Sequence, residues 1–290
     1  MPVYDFDTLD VFTGVRFGGN PLAVFPNATG LDTATMQLLA REFNMSEVAF
    51  IFPPDGATNS AKVRIFTPDV EVPFAGHPNV GAGWVLAGSG AATTSVFRFE
   101  ELAGLVEVEP IYDAGRLSAC WVSAPQPLTR GEPPSRAEVA SCASLSPEDI
   151  GEPELASVGL TTICVPVSRE TLARAECDPL AFRALAKRRP DLATICLLFL
   201  YARDGAKVYA RMFAPLSGTI EDPATGSAAA ALTALLLDKA AEPRLRLEIF
   251  QGLEMGRPSR ILAEAMREDG VVRSKIGGEC VYVLRGVAEV

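Results

Sequence analysis

Glu47 stands in the segment NMSEVAFIF, an acidic side chain at the head of an apolar run. Followed by Val48, Ala49, Phe50 and Ile51, it is either a solvated strand-end carboxylate or a partly desolvated one whose pKa rises toward neutrality. A carboxyl group tuned that way can take a proton from carbon and return it. His77, the one histidine of the chain, lies in EVPFAGHPNVGAG at the mouth of an apolar segment. It reads either as a structural hydrogen-bonder or cap, or as a neutral donor or acceptor toward a ligand, since a positive helix end disfavours the imidazolium. Asp222 precedes Pro223 in EDPATGSAA and suits helix capping and substrate contact alike. These three are the candidate catalytic residues.

Other chemistries find less support in the residue pattern. A lone imidazole without clustered oxygen ligands gives no expectation of a metal, and the glycine clusters lack the spacing of a phosphate-binding loop. The six cysteines, Cys120, Cys142, Cys164, Cys177, Cys196 and Cys280, contain no C-x-x-C pair. Buried free thiols are the expectation, with no nucleophilic cysteine among them.

The elements that must position the candidates are revealed by an internal echo. Arg64-Ile-Phe-Thr-Pro68 is followed by Glu71-x-Pro73-x-x-Gly76-His77 and the apolar run VGAGWVLA; Arg211-Met-Phe-Ala-Pro215 is followed by Glu221-x-Pro223-x-x-Gly226-Ser227 and AAAALTALLL. The arginines lie 147 residues apart and the glutamates 150, so three residues inserted in the LSGTI turn account for the difference. We read a duplication. Each copy is a strand, a tight turn and a helix apolar on nearly every face, and a helix without a polar face has to be surrounded. The expected fold is α/β, two similar domains related by a pseudo-twofold axis, each a curved, barrel-like sheet around a central apolar helix. Both helix N-termini would then face one cleft, where free backbone N–H groups suit a carboxylate or a developing enolate.

Length and composition fit this plan. A chain of 290 residues with 48% hydrophobic side chains suggests two globular domains. We place the N-terminal domain at 1–115, completed by a closing strand at 280–290, and the C-terminal domain at 116–279, the junction lying in the YDAGR turn. The net charge of −10 disfavours nucleic acid and anionic membrane surfaces as partners. No apolar run reaches the roughly 18 residues of a spanning helix, and the acidic start has no secretory pattern, so the expected compartment is the cytoplasm.

Local signals place the individual elements. Asp32 caps a helix that runs to Asn44, a residue prone to the left-handed conformation. Strands are expected at Thr162 to Val167 and Ile195 to Tyr201, and a helix at Pro179 to Lys187. Asn20, in GGNPLAVF, is most simply a turn residue. The segment QGLEMGRPS, Gln251 to Ser259, reads as a hairpin connection.

Taken in order, GNPLAVF, MSEVAF, FTP-x-x-E-x-P-FAGHP, EDPATGSAA and QG-x-x-MGRPS resemble the phenazine-biosynthesis PhzF-like isomerases, which share a fold with diaminopimelate epimerase. The clear likeness runs from the N-terminus to about residue 260, with a weaker echo in IGGECVYVLRG. The resemblance implies cofactor-independent proton transfer, with Glu47 as general acid and base, His77 and Asp222 as its catalytic companions, and Asn20, Ser46, Gly76, Gly226 and Ser227 as substrate contacts. It also points to a homodimer. The epimerase relatives place a cysteine at each helix-opening turn. PFAGHP and DPATGSA have none, which argues against two-thiol racemisation. The expected activity is therefore isomerisation of a small carboxylate-bearing, cyclic amino-acid-like substrate between the two domains. The alternatives are epimerisation or racemisation of an amino-acid derivative, and non-catalytic binding of a small acid.

Overall fold

The computed structural model describes residues 1–90, 95–193 and 196–290. Contacts divide the chain into two compact units, Met1–Ser123 with Gly277–Val290, and Ala124–Ile276. The Ala114 turn, where the sequence suggested a junction, joins two strands inside the first unit. Ala114 (φ 46°) and Gly115 (φ 77°) form its two-residue loop, in the left-handed conformation that matches the twist of paired strands. The contact division falls instead between Ser123 and Ala124.

The first unit contains β1 (Val3–Val11), β2 (Asn20–Phe25), α1 (Thr33–Phe43), β3 (Val48–Phe52), β4 (Ala61–Phe66), β5 (Glu71–Val72), α2 (Gly76–Gly88), β6 (Phe97–Glu101), β7 (Gly104–Asp113) and β8 (Arg116–Ser123). The final strand of the chain, Cys280–Glu289, pairs antiparallel with β1 along its length. From there β1 pairs antiparallel with β2, β2 parallel with β3, β3 antiparallel with β4, β4 parallel with β6, and β6 through β8 as antiparallel hairpins. Helix α1 is bounded as its sequence dictates: Asp32 accepts the Thr35 amide, and Asn44 ends it at φ 49°. Its inner face meets Phe25, Phe50 and Phe66, with Phe25 and Phe50 stacked at 4.8 Å.

Helix α2 is buried without interruption from Gly76 to Val85. It touches β1, β2, β3, β7, β8 and the final strand, so the sheet curls around it. Two of its glycines explain themselves by contact. A Cβ on Gly81 would lie 2.3 Å from Leu22 Cδ2, and one on Gly83 2.6 Å from Val108 Cγ1. The sheet is closed so tightly on this helix that a methyl group has no room.

The second unit repeats the plan. It holds β9 (Thr129–Gly131), α3 (Arg136–Cys142), β10 (Glu154–Ser157), β11 (Thr161–Pro166), α4 (Arg169–Arg174), α5 (Pro179–Arg188), β12 (Leu197–Asp204), β13 (Lys207–Ala214), β14 (Thr219–Asp222), α6 (Gly226–Asp238), β15 (Arg244–Gln251), β16 (Ser259–Glu268) and β17 (Val271–Gly278), after which the final strand is β18. Of the expected strand Ile195 to Tyr201, Ile195 lies outside the described residues. Pairing runs β10 antiparallel to β11, β11 parallel to β12, β12 antiparallel to β13, β13 parallel to β15, and β15 antiparallel to β16. That succession of senses matches β1 through β7 step for step. Helix α6 is enclosed by β10, β11, β15 and β16, and its residues are buried apart from Ser227, Leu236 and Asp238.

The chain is thus a mixed α/β protein dominated by curved sheet. None of the helices among the described residues is long and apolar enough to cross a membrane. The six cysteines are free, and all but Cys177 are buried. Burial pushes the Cys142 thiol up to about 12 and that of Cys196 to about 11, which leaves them as core residues rather than nucleophiles.

Candidate active site

Each apolar helix is delivered by the same local device, and the echoed residues build it. In the first unit the β4–β5 turn sets Phe66 opposite Glu71 and Ile65 opposite Val72. In the second, the β13–β14 turn sets Phe213 opposite Glu221 and Met212 opposite Asp222. The extra residues of the second turn form a short helical turn at Pro215–Ser217, ended by Gly218 at φ 82°. Arg64 grips Glu71 with two bonds of 2.7 and 2.6 Å, and Arg211 grips Glu221 with two of 2.8 and 2.9 Å. Forked pairing of this kind fixes direction as well as distance. The sequence showed the four residues as an echo but not their mutual contact.

Beyond each clasp the chain turns into a helix of 13 residues that begins with glycine. Neither Ala75 nor Thr225, the residues before those glycines, caps its helix through a side chain. The first N–H groups of the helices are therefore left to other partners, which is the geometry of an anion site.

In the first unit the structure brings four of the predicted residues together around Gly76. His77 is the second residue of α2 and only 6% exposed. Its Nδ1 lies 3.5 Å from Glu47 Oε2. Glu47 immediately precedes β3, whose Val48 pairs with Ala23 of β2, so the sheet itself fixes the carboxyl beside the helix start. Ser46 donates from its hydroxyl to Asn20 Oδ1 at 3.2 Å. Asn20, read from sequence as a turn residue, is instead the first residue of β2 and is buried. Burial pushes the Glu47 carboxyl up to about 7, against a smaller downward pull from the Ser46 hydroxyl. A carboxyl at that value holds and releases a proton with comparable ease at neutral pH.

In the second unit Asp222 closes β14, and Gly226 and Ser227 open α6. Asp222 Oδ2 accepts the Thr225 hydroxyl. Thr225 is held in turn by Gln251, which accepts the Thr225 N–H at 3.1 Å and donates to the Asp222 carbonyl at 2.7 Å. Ser259 adds a bond of 3.0 Å to the Pro223 carbonyl. Gln251 and Ser259 are the paired ends of the β15–β16 hairpin. The QGLEMGRPS segment is thus a connection, as read, and also the clamp on the Asp222 turn. Gly252 is obligatory there, since at φ 73° a Cβ would sit 2.4 Å from the Arg257 carbonyl oxygen. Gln251 and Thr225 escaped the sequence reading. The hint was a glutamine at the end of a strand, where a fully buried amide has to find partners.

Relatives carry the same architecture. The chain matches the PhzC-PhzF family, described as phenazine biosynthesis-like protein, over residues 9–286. It is 39% identical to an uncharacterized isomerase of Mesorhizobium japonicum, with 99% of each chain covered. It is 36% identical to the trans-2,3-dihydro-3-hydroxyanthranilate isomerase of Pseudomonas aeruginosa, with 91% of each covered. Among solved structures, the PhzF-family phenazine biosynthesis protein of Bacillus anthracis matches with a TM-score of 0.89 at 22% identity over the whole of both chains, a likeness of fold. The family match across nearly the whole length, together with relatives named as isomerases at this level of identity, shows that the chain is an isomerase belonging to the PhzC-PhzF phenazine biosynthesis-like family.

Proposed function

We propose that this isomerase moves a proton between two carbons of a small, cyclic, carboxylate-bearing amino-acid-like substrate without a cofactor, Glu47 serving as both base and acid. The observation that carries the reading is the Glu47 carboxyl, raised to about 7 by burial and set 3.5 Å from His77 at the start of an enclosed helix. In the first half-reaction ionised Glu47 takes the proton from a carbon acidified by conjugation, and the electron pair delocalises into the substrate. His77 polarises the group that receives it, aided by the positive end of α2. In the second, protonated Glu47 delivers a proton to a different carbon, either the one it took or one exchanged with solvent in the interval. No electrons are exchanged with the protein, and Glu47 ends as it began.

Backbone N–H groups at Gly76 and Gly226 are assigned to the substrate carboxylate, with Asn20, Ser46 and Ser227 as polar contacts. Asp222 is the second acidic member of the reaction. The name of the Pseudomonas aeruginosa relative's substrate, a ring bearing amine-derived and carboxylate groups, supports the substrate class. A homodimer is the proposed assembly, which light scattering at working concentration decides.

The test is deuterium incorporation from D2O into trans-2,3-dihydro-3-hydroxyanthranilate and a panel of cyclic amino acids. Glu47→Gln should retain ligand-induced thermal stabilisation and lose exchange by at least about 10³-fold, near the usual value of a general base. Exchange at the parent rate in that variant would remove Glu47 from the reaction. Asp222→Asn should slow exchange less severely.

A further inference from the structure

The duplication allows each residue of one unit to be compared with its counterpart, and one pair differs in kind. Aligning Arg64 with Arg211 places Ala61 on Val208. The parallel pairings Ala61 with Phe99 and Val208 with Ile249 then set Glu101 on Gln251. Each is the last residue of its strand, β6 and β15. Each ends a strand whose hairpin holds the proline carbonyl of the helix-opening turn. Ala103 N–H reaches the Pro73 carbonyl at 3.0 Å, and the Ser259 hydroxyl reaches that of Pro223 at 3.0 Å. The position that clamps the Asp222 turn is thus filled, in the first unit, by an acid instead of an amide.

Gln251 works there because an amide both donates and accepts. Its Nε2 also meets the Thr225 hydroxyl at 3.0 Å. In the first unit Ala75 replaces Thr225 and brings no hydroxyl, and Asn79, one turn into α2, comes within reach of Glu101 in its place. Asn79 spends its Nδ2 on the Ala75 carbonyl at 3.0 Å. Its Oδ1 and both carboxyl oxygens of Glu101 are buried and accept no hydrogen bond among the described residues. Three acceptor oxygens share the space and none has a donor. An ionised carboxylate would deepen that mismatch, because a buried unpaired acceptor gives up its hydrogen bonds to water and gains none in return.

We propose that Glu101 is a positioning residue held as a neutral carboxylic acid, its O–H donated to Asn79 Oδ1, so that the turn presenting Gly76 and His77 is fixed as the Gln251 amide fixes the turn of Asp222. The link to catalysis rests on the proposed function, while the protonation state does not. Burial pushes the Glu101 carboxyl up to about 8; the Asn79 amide pulls it down only where its N–H faces the carboxylate, and that N–H is given to the Ala75 carbonyl. The charged groups of the adjoining elements are engaged elsewhere. Lys62 of β4 pairs with Asp55 and Arg64 with Glu71 of β5. Glu100 accepts the amides of Asp55 and Gly56, Arg98 of β6 faces Glu107 of β7, and the titratable side chain of α2 is His77, beside Glu47.

Two measurements on the full chain decide the matter without reference to turnover. In the infrared difference between parent and Glu101→Gln at pH 6, a protonated-carboxyl band should appear in the parent alone and fade as pH passes about 8. In denaturant titrations the folding constant of the parent relative to Glu101→Gln should fall by up to tenfold per pH unit between the ordinary glutamate value of 4.5 and about 8. A carboxylate band at pH 6, or a ratio that does not change with pH, overturns the proposal. For the positioning role, Glu101→Leu should lower kcat at least tenfold with little change in KM, and Glu101→Gln should recover most of that loss. Equal activity of the two variants would overturn that part. Should Glu47→Gln keep full exchange while these results hold, the proton-carrier reading falls and the Glu101 assignment stands.

Discussion

The proposed role of Glu47 as base carries a pH dependence whose direction follows from burial, which raises its carboxyl to about 7. On that proposal the ionised form of Glu47 takes the proton, so kcat/KM should rise between pH 6 and 8 with an apparent pKa near 7. Ser46→Ala removes the hydroxyl that favours the ionised form, so the rising limb should move to higher pH, as a pH–rate profile would show. Stability runs the other way. The folded value lies above the ordinary 4.5, so the protonated state is favoured by folding, and up to about 1.4 kcal/mol per pH unit is lost between about 4.5 and 7. Glu47→Gln should flatten that slope in urea titrations. Glu47 was legible as a candidate, although the apolar run after it left burial and solvation both open and the likeness to the PhzF-like isomerases gave it its role. Glu101 was not, since FRFEE at a strand end looks like a solvated face until the register shows what lies beneath it.

At the level of elements, the two enclosed helices carry the arrangement, and their sequences announce it through the absence of a polar face. Gly83→Ala should destabilise the protein by about 1–3 kcal/mol despite the better helix propensity of alanine, because the new methyl would meet the stiff, β-branched Val108 at 2.6 Å. Gln251→Leu orphans the Thr225 N–H and the Asp222 carbonyl, and should cost at least about 2 kcal/mol in the denaturation midpoint. The bounds of α1 were readable because Asp32 and Asn44 act on their own immediate backbone. The clamp by Gln251 was hidden because its partners lie 26 and 29 residues away. Local chemistry leaves a local trace, whereas a long-range amide contact leaves one only in the fold.

Over the whole molecule, the echo in the sequence corresponds to two units with the same order of strand senses and the same clasp, but the copies have not stayed equally buried. Arg211 is 9% exposed in its side chain and also donates to the Leu172 and Ala175 carbonyls, whereas Arg64 is 23% exposed. Arg211→Met should therefore cost about 3 kcal/mol or more by stranding Glu221, and Arg64→Met closer to about 1, a difference that denaturant titration resolves. The duplication was legible because the clasp needs the same residue types at the same spacing each time. The contact boundary at Ser123 was not, although Pro125 and Pro127 follow it, because the YDAGR turn offered the plainer break.

One pairing ties the first unit to the order in which the chain is made. Strand β18 lies against β1 from Val3 with Glu289 to Val11 with Cys280, whereas the second unit is continuous from Ala124 to Ile276. On the ribosome the second unit can close first, while β1 waits with an open edge for residues 280–289 to emerge, a state in which strands recruit neighbours. Chaperone demand should therefore fall on the N-terminal half of the nascent chain, and a variant ending before Cys280 should aggregate through that edge.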